Sequence, residues 1–233
     1  MIVYTAAMHY SSAYKAPILV VDSVIFRLVN NQLEVLLIHR TQEPYMGAWA
    51  LPGGYCSAGE TTTEAMSRVL LEKGGIKADD LKLIEQLYTF DTVARDPRGH
   101  AVSVSYMGLG IDLEPTTSGT TQDPAFFPLS ELPELAFDHG AIIRYAHERL
   151  QTKLSYTNAI FALLQPQFTL THLQSAYEAV LCRPLDKRNF RKKFLSLDLI
   201  EPTDEMFQDG PHRPARLYRF SSKELQLLDR NFD

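Results

Sequence analysis

Residues 54–76 read GYCSAGETTTEAMSRVLLEKGGI, and the organisation of the first half of the chain can be built outward from them. The segment from about Thr61 to Lys73 lacks proline and is compatible with a helix, and Gly74-Gly75 supplies the left-handed residue that ends one. A Pro- and Gly-rich loop, 47–54, precedes it. Further upstream, the apolar runs 18–29 (ILVVDSVIFRLV) and 33–38 (LEVLLI) flank Asn30-Asn31, a pair suited to the tight turn of a hairpin of buried strands. Downstream, Leu83 to Phe90 and Ala101 to Leu109 read as strands separated by residues 95–100 (RDPRGH). Pro115, Pro124, Pro128 and Pro133 then punctuate a loop-rich region. From about Gly140 to Leu154, the residues Ile142, Tyr145, Ala146 and Leu150 recur at helical spacing. This reads as a mixed α/β domain, residues 1–150, whose last helix links it to a second domain, residues 151–233.

Gly54, Glu60, Arg68, Leu70, Glu72, Gly75 and Ile76 keep a fixed long spacing, and Ala48-Trp49-Ala50-Leu51-Pro52-Gly53-Gly54 leads into it. The pattern resembles the Nudix box, over roughly residues 17 to 150, which implies an α+β Nudix sandwich. In active Nudix hydrolases, three carboxylates at relative positions 0, 3 and 4 of the box helix share one face and hold Mg²⁺ against a diphosphate. Those positions here are Val69, Glu72 and Lys73. Two of the three acids are absent and a cation replaces the last, so neither a catalytic nor a metal-binding residue is expected. Glu60 and Arg68 are expected to brace the loop and helix by an ion pair.

The candidate ligand-binding residues are those that suit a nucleotide diphosphate. Gly53 and Gly54 lie in the loop, Glu72 and Lys73 on the helix, and the Lys73 ammonium can stand where a metal would. Arg40 follows a strand and Trp49 offers a flat apolar face for stacking. Arg95 and Arg98 lie in a tight turn that resembles a segment of ADP-ribose-directed Nudix proteins. For each there is a plainer alternative, a scaffold ion pair, a core tryptophan or a polar hairpin loop.

Behind residue 150, Leu173, Ala176, Tyr177, Val180 and Leu181 follow an amphipathic helical pattern with Thr171 as its expected N-cap, and residues 186–199 form a second helix. Strand-like segments 200–207 and 217–220 flank the turn residues Asp209-Gly210-Pro211. Helices followed by a hairpin give the order of a winged helix-turn-helix. Residues 183–193 hold six basic side chains against one acid, Asp186. In that second helix Phe190, Phe194 and Leu197 share one face, while Arg188 and Lys192 project opposite with Arg191 beside them. Lys187, Arg188, Asn189, Arg191 and Lys192 are therefore the candidate DNA-reading residues, with Arg213 and Arg216 on the hairpin for phosphate or minor-groove contacts.

Charge divides the same way. Residues 1–150 hold 11 Lys and Arg against 18 Asp and Glu, a balance of −7, and the remainder holds 12 against 10, a balance of +2. The two cysteines, Cys56 and Cys182, are far apart and fit a reducing cytoplasm, and the apolar stretch 17–21 is too short to span a bilayer. A Nudix-like domain followed by a winged helix with residues 213–218 reading RPARLY resembles the Nudix-related transcriptional regulators of NAD metabolism, the NrtR family. That resemblance implies a homodimer on a palindromic double-stranded DNA operator, a repressor of NAD synthesis or salvage genes. It also implies ADP-ribose or a related NAD-derived nucleotide as effector, with no cofactor required. Two readings compete with it: an active ADP-ribose pyrophosphatase carrying an accessory basic domain, and a C-terminal module for RNA or protein.

Overall fold

Asn30 and Asn31 adopt φ of 50° and 61°, the left-handed pair that a two-residue hairpin turn requires. They join β1 (Ile18–Val29) to β2 (Gln32–His39) with Phe26 opposite Val35 and Val29 opposite Gln32. The structure, a computed structural model, describes residues 15–116, 123–208 and 214–228. Its main sheet adds β3 (Trp49–Ala50), β4 (Gly53–Tyr55), β5 (Leu83–Phe90), β6 (Ala101–Leu109) and β7 (Pro124–Pro128). The strand order is β3-β2-β1-β6-β5, with β4 on β1 and β7 on β2. β1 runs parallel to β6 from Ile18 to Phe26 and antiparallel to the others it meets.

The apolar runs of β1 and β2 are continuous because both faces of the sheet are covered. Val21, Ile25 and Leu36 pack beneath α1 (Thr62–Gly74), and Val24, Phe26, Val35 and Leu37 face α2 (His139–Tyr156). Thr61 caps α1 in a reciprocal box with Glu64, and Gly75 at φ 65° closes it.

α2 carries the chain unbroken across residue 150, so the expected domain cut falls inside a helix. A 3-10 turn (Ala159–Leu163) follows, then α3 (Leu170–Leu181), α4 (Lys187–Leu195) and the hairpin of β8 (Ile200–Phe207) and β9 (Ala215–Phe220). The apolar cluster under the sheet continues through Ile142, Ala146 and Leu150 of α2 into Tyr177 of α3 and Phe190 and Phe194 of α4. The two parts thus share one core.

Two local expectations are corrected. The N-cap of α3 is Thr169, whose hydroxyl accepts the His172 N–H at 3.1 Å, whereas Thr171 lies inside the helix and its hydroxyl accepts from Arg191. α4 stops at Leu195 instead of reaching 199, because Ser196 caps it and Asp198 takes a left-handed φ of 51°.

Candidate functional site

β1 places one carboxylate, Asp22, within its apolar run and buries it. Ser103 Oγ donates to Asp22 Oδ2 at 2.6 Å and Arg95 Nη2 donates to the same oxygen at 3.1 Å. Arg95 also holds Asp138 through two bonds, Nε at 2.9 Å and Nη2 at 2.8 Å. The adjacent His139 accepts the Leu51 N–H on Nδ1 at 2.8 Å, so its proton sits on Nε2, which faces Asp22 Oδ1 at 3.6 Å. Burial pushes the His139 pKa down against the pull of Asp22 and Asp138.

That shift carries a pH signature. The unfolded histidine protonates near pH 6.5, whereas folded His139 resists until a lower pH. The stability it contributes is therefore fully present above pH 6.5 and is lost as pH falls from there through its folded value. Thermal melts from about pH 8 to about pH 5 should show an acid loss of at most about 1.4 kcal/mol per pH unit that is shallower in His139→Gln. Parallel profiles would refute the assignment.

Asp22, Arg95 and His139 line a cavity together with Arg40, Gly53, Gly54, Tyr55, Lys73, Arg98 and Phe137. Lys73 Nζ donates to the Gly53 carbonyl at 2.6 Å, and burial, with the charge of Arg40, pushes its pKa below the ordinary lysine value. Phe137 holds a left-handed φ of 55°, and its ring has two guanidinium groups near it, Arg40 at 4.8 Å and Arg98 at 5.7 Å, with Tyr45 edge-on at 4.8 Å. Arg40 is steadied by the carbonyls of Pro44 and Gln42, and Arg98 by Asp96. Cations around an aromatic face suit an anion joined to a planar group.

The box positions decide which groups face the cavity. Arg68 grips both oxygens of Glu60, at 2.7 and 2.8 Å, which pulls the Glu60 carboxyl down to about 2. Arg68 Nη1 meets Glu72 at 3.2 Å, and Glu72 lies outside the cavity lining. Val69 is buried in the apolar cluster between α1 and the sheet. This donor set does not fit a divalent cation: the three box positions offer a core valine, a carboxylate turned to an arginine, and an ammonium.

Of the ligand candidates, Arg40, Gly53, Gly54, Lys73, Arg95 and Arg98 thus share one cavity. Trp49 does not join them. Its ring packs on Phe127 at 4.6 Å and His39 at 5.3 Å and is half-buried against the core, and the aromatic side chains that line the cavity include Tyr55 and Phe137 instead. Asp22, Phe137, Asp138 and His139 escape sequence reasoning. A lone acid in an otherwise apolar strand was a usable signal for Asp22, since such a group is buried only with partners.

In the second part, Asp186 caps α4 by accepting the Asn189 N–H at 2.8 Å. Phe190 and Phe194 are buried, while Lys187, Arg188, Asn189 and Lys192 are exposed. Arg191 is half-buried and donates to Thr171 Oγ1 at 3.0 Å, so it braces α4 on α3. Arg216 is exposed on β9, and Arg213 lies outside the described residues.

A NUDIX domain model matches residues 19–146, and the NrtR DNA-binding winged helix domain matches residues 160–220. The chain is 36% identical over 231 residues to the ADPR responsive transcriptional repressor NtrR of Acinetobacter baylyi, covering 97% of this chain and 90% of that protein. Its structure superimposes on Shewanella oneidensis NrtR complexed with a 27mer DNA at a TM-score of 0.76 and 32% identity, covering 92% and 99% of the two chains. The NUDIX domain of the Shewanella oneidensis protein complexed with ADP ribose matches at a TM-score of 0.54 and 36% identity, covering 61% of this chain and 94% of that one. With matching domains in matching order along nearly its whole length, the chain belongs to the NrtR family, in which a Nudix domain is joined to a DNA-binding winged helix.

Proposed function

We propose that this protein is a cytoplasmic, homodimeric repressor of NAD synthesis or salvage genes. Its Nudix cavity binds ADP-ribose without hydrolysing it, and its α4 and β8–β9 hairpin read a palindromic operator that ADP-ribose releases. The observation that carries this reading is the cavity itself. Arg40, Lys73 and Arg98 line it, Phe137 supplies a planar face, and the box positions hold Val69 and Lys73 where a metal would need carboxylates. The family relatives, one named for ADPR-responsive repression and others crystallised with DNA or ADP ribose, support it. The deciding experiment is an electrophoretic shift on the protein's own upstream region and on NAD-gene promoters, titrated with ADP-ribose, with product formation followed in the same tubes. Specific binding released by ADP-ribose without turnover is expected. Turnover with Mg²⁺ or Mn²⁺ and no specific binding would replace this reading with a pyrophosphatase.

Lys73 is assigned the diphosphate. Its ammonium contributes only while protonated, so ADP-ribose affinity should decline as pH rises through a Lys73 pKa that lies below 10.5. Lys73→Met should bind about tenfold more weakly, a change of about 1.4 kcal/mol, and lose that decline. Unchanged affinity by calorimetry would remove Lys73 from the ligand site.

Lys192 is exposed on α4 and is assigned a phosphate contact. Lys192→Ala should weaken binding to all DNA sequences alike. It should also reduce the slope of log affinity against log salt by about 0.9 per lost contact, roughly twice that for a dimer. A slope equal to the wild type would place Lys192 away from the backbone.

A further inference from the structure

α2 begins in the wall of the ligand cavity. Phe137, Asp138 and His139 are consecutive; the first and third line the cavity and the second holds Arg95. Farther along the helix, His147 and Gln151 lie one turn apart and both reach the carbonyl oxygen of Val180 in α3, His147 Nε2 at 2.7 Å and Gln151 Nε2 at 2.9 Å. A carbonyl only accepts, so His147 carries its proton on Nε2 and both side chains donate.

Val180 lies in the last turn of α3, where carbonyls have no partner within their own helix, and Cys182 ends the helix in a left-handed conformation at φ 52°. The turn that follows leads directly into α4 and is tied back to α3. The Leu185 N–H donates to Glu178 at 2.8 Å, its carbonyl accepts from Gln174 at 3.0 Å, and Arg191 of α4 donates to Thr171 of α3 at 3.0 Å. α3, the turn and α4 are therefore braced as one unit. α2 grips that unit at the C-terminal end of α3, from which the chain turns into α4.

Building on the reading above, we propose that His147 and Gln151 are the positioning residues through which ADP-ribose at the cavity moves the DNA-reading helix. A ligand that engages Phe137 or draws on Arg95 acts on the residues from which α2 springs. A helix transmits such a shift along its axis, and the twin bonds to Val180 pass it to α3 and α4. Allosteric coupling requires the ligand to prefer one arrangement of these parts. Two side chains on one carbonyl give that preference a definite contact to change.

The test uses the full chain as wild type, His147→Phe, Gln151→Met, the double variant, and His147→Gln, which keeps a donor. For each, operator Kd is measured with and without saturating ADP-ribose, ADP-ribose affinity by calorimetry, and folding by thermal melt. The expected result is ADP-ribose affinity within about twofold of wild type. The ratio of operator Kd with ADP-ribose to that without should fall at least about fivefold in the double variant and recover in His147→Gln. If the double variant fails to fold, Gln151→Met alone decides, with at least about a twofold fall expected. A folded variant that keeps the wild-type ratio overturns the inference and leaves the regulator reading intact. So does a loss of release matched by an equal loss of ADP-ribose affinity, because it places these residues in the cavity's own stability. A wild type whose operator binding ignores ADP-ribose overturns both.

Discussion

Arg95→Ala should lower the thermal midpoint by roughly 6–20 °C, corresponding to a loss of about 3–5 kcal/mol, although the residue sits in a turn that reads as a polar surface loop. Its side chain is only 4% exposed and is the shared partner of Asp22, at 6%, and Asp138, at 23%. Truncating it leaves two carboxylates facing each other in a site that water reaches poorly. The cost is that of an uncompensated buried charge and not of one lost hydrogen bond. Arg98→Ala is the control. That side chain is 43% exposed and pairs with one carboxylate, Asp96 at 9%, which keeps its bond from the backbone N–H of residue 98, so the loss should cost about 1–2 kcal/mol, less than for Arg95→Ala. Equal midpoints for the two variants at neutral pH would mean that Asp22 and Asp138 are satisfied without Arg95, and the floor of the cavity would need another account.

The contrast between these two arginines shows how far the sequence could be read. Elements whose signal is local were legible: the Asn30-Asn31 turn, the Gly75 stop of α1, and the strands Leu83–Phe90 and Ala101–Leu109 appear as expected. So was the cationic face of α4, because helical periodicity alone sorts Phe190 and Phe194 from Arg188 and Lys192. Features set by tertiary neighbours were not. Arg95 and Arg98 are three residues apart in one turn, yet the first is buried by Asp22 and Asp138, which come from distant parts of the chain. Trp49 occupies a two-residue strand, too short for its pattern to say which way the ring points, and Phe127 of β7 claims it. Phe137 follows no periodicity at all; it reaches the cavity because its backbone is left-handed. The shared core under α2 was likewise invisible, since a charge boundary near residue 150 says nothing of apolar side chains packing across it.

Gly53→Ala should disturb the cavity more than its single methyl suggests, and for a reason other than backbone freedom. Gly53 does not occupy the left-handed region. It lies opposite Asp22 in the β1–β4 register, and a Cβ there would overlap Asp22 Oδ1 and stand 3.0 Å from the Val21 carbonyl. Asp22 has nowhere to go. Ser103 and Arg95 hold its other oxygen inside the protein, and turning it away would break the contacts that keep its charge compensated. The remaining relief is for β4 to part from β1, which would carry off the Gly53 carbonyl that anchors Lys73. Either route sacrifices a charged hydrogen bond that is wholly or partly buried, in addition to the overpacking, so a loss of about 3 kcal/mol or more is expected, with ADP-ribose affinity reduced at least about a hundredfold. Gly54→Ala would place its Cβ at an ordinary 3.5 Å from Lys73 Nζ and 3.0 Å from the end of the Val69 side chain. A few tenths of an ångström of yielding there should hold its cost to about 1–2 kcal/mol. Thermal melts and calorimetry on the two variants check the order. Should Gly53→Ala bind ADP-ribose and melt like the wild type, Asp22 would have to be free to move, and the buried network joining β1 to the start of α2 would not be the rigid floor that its bonds describe.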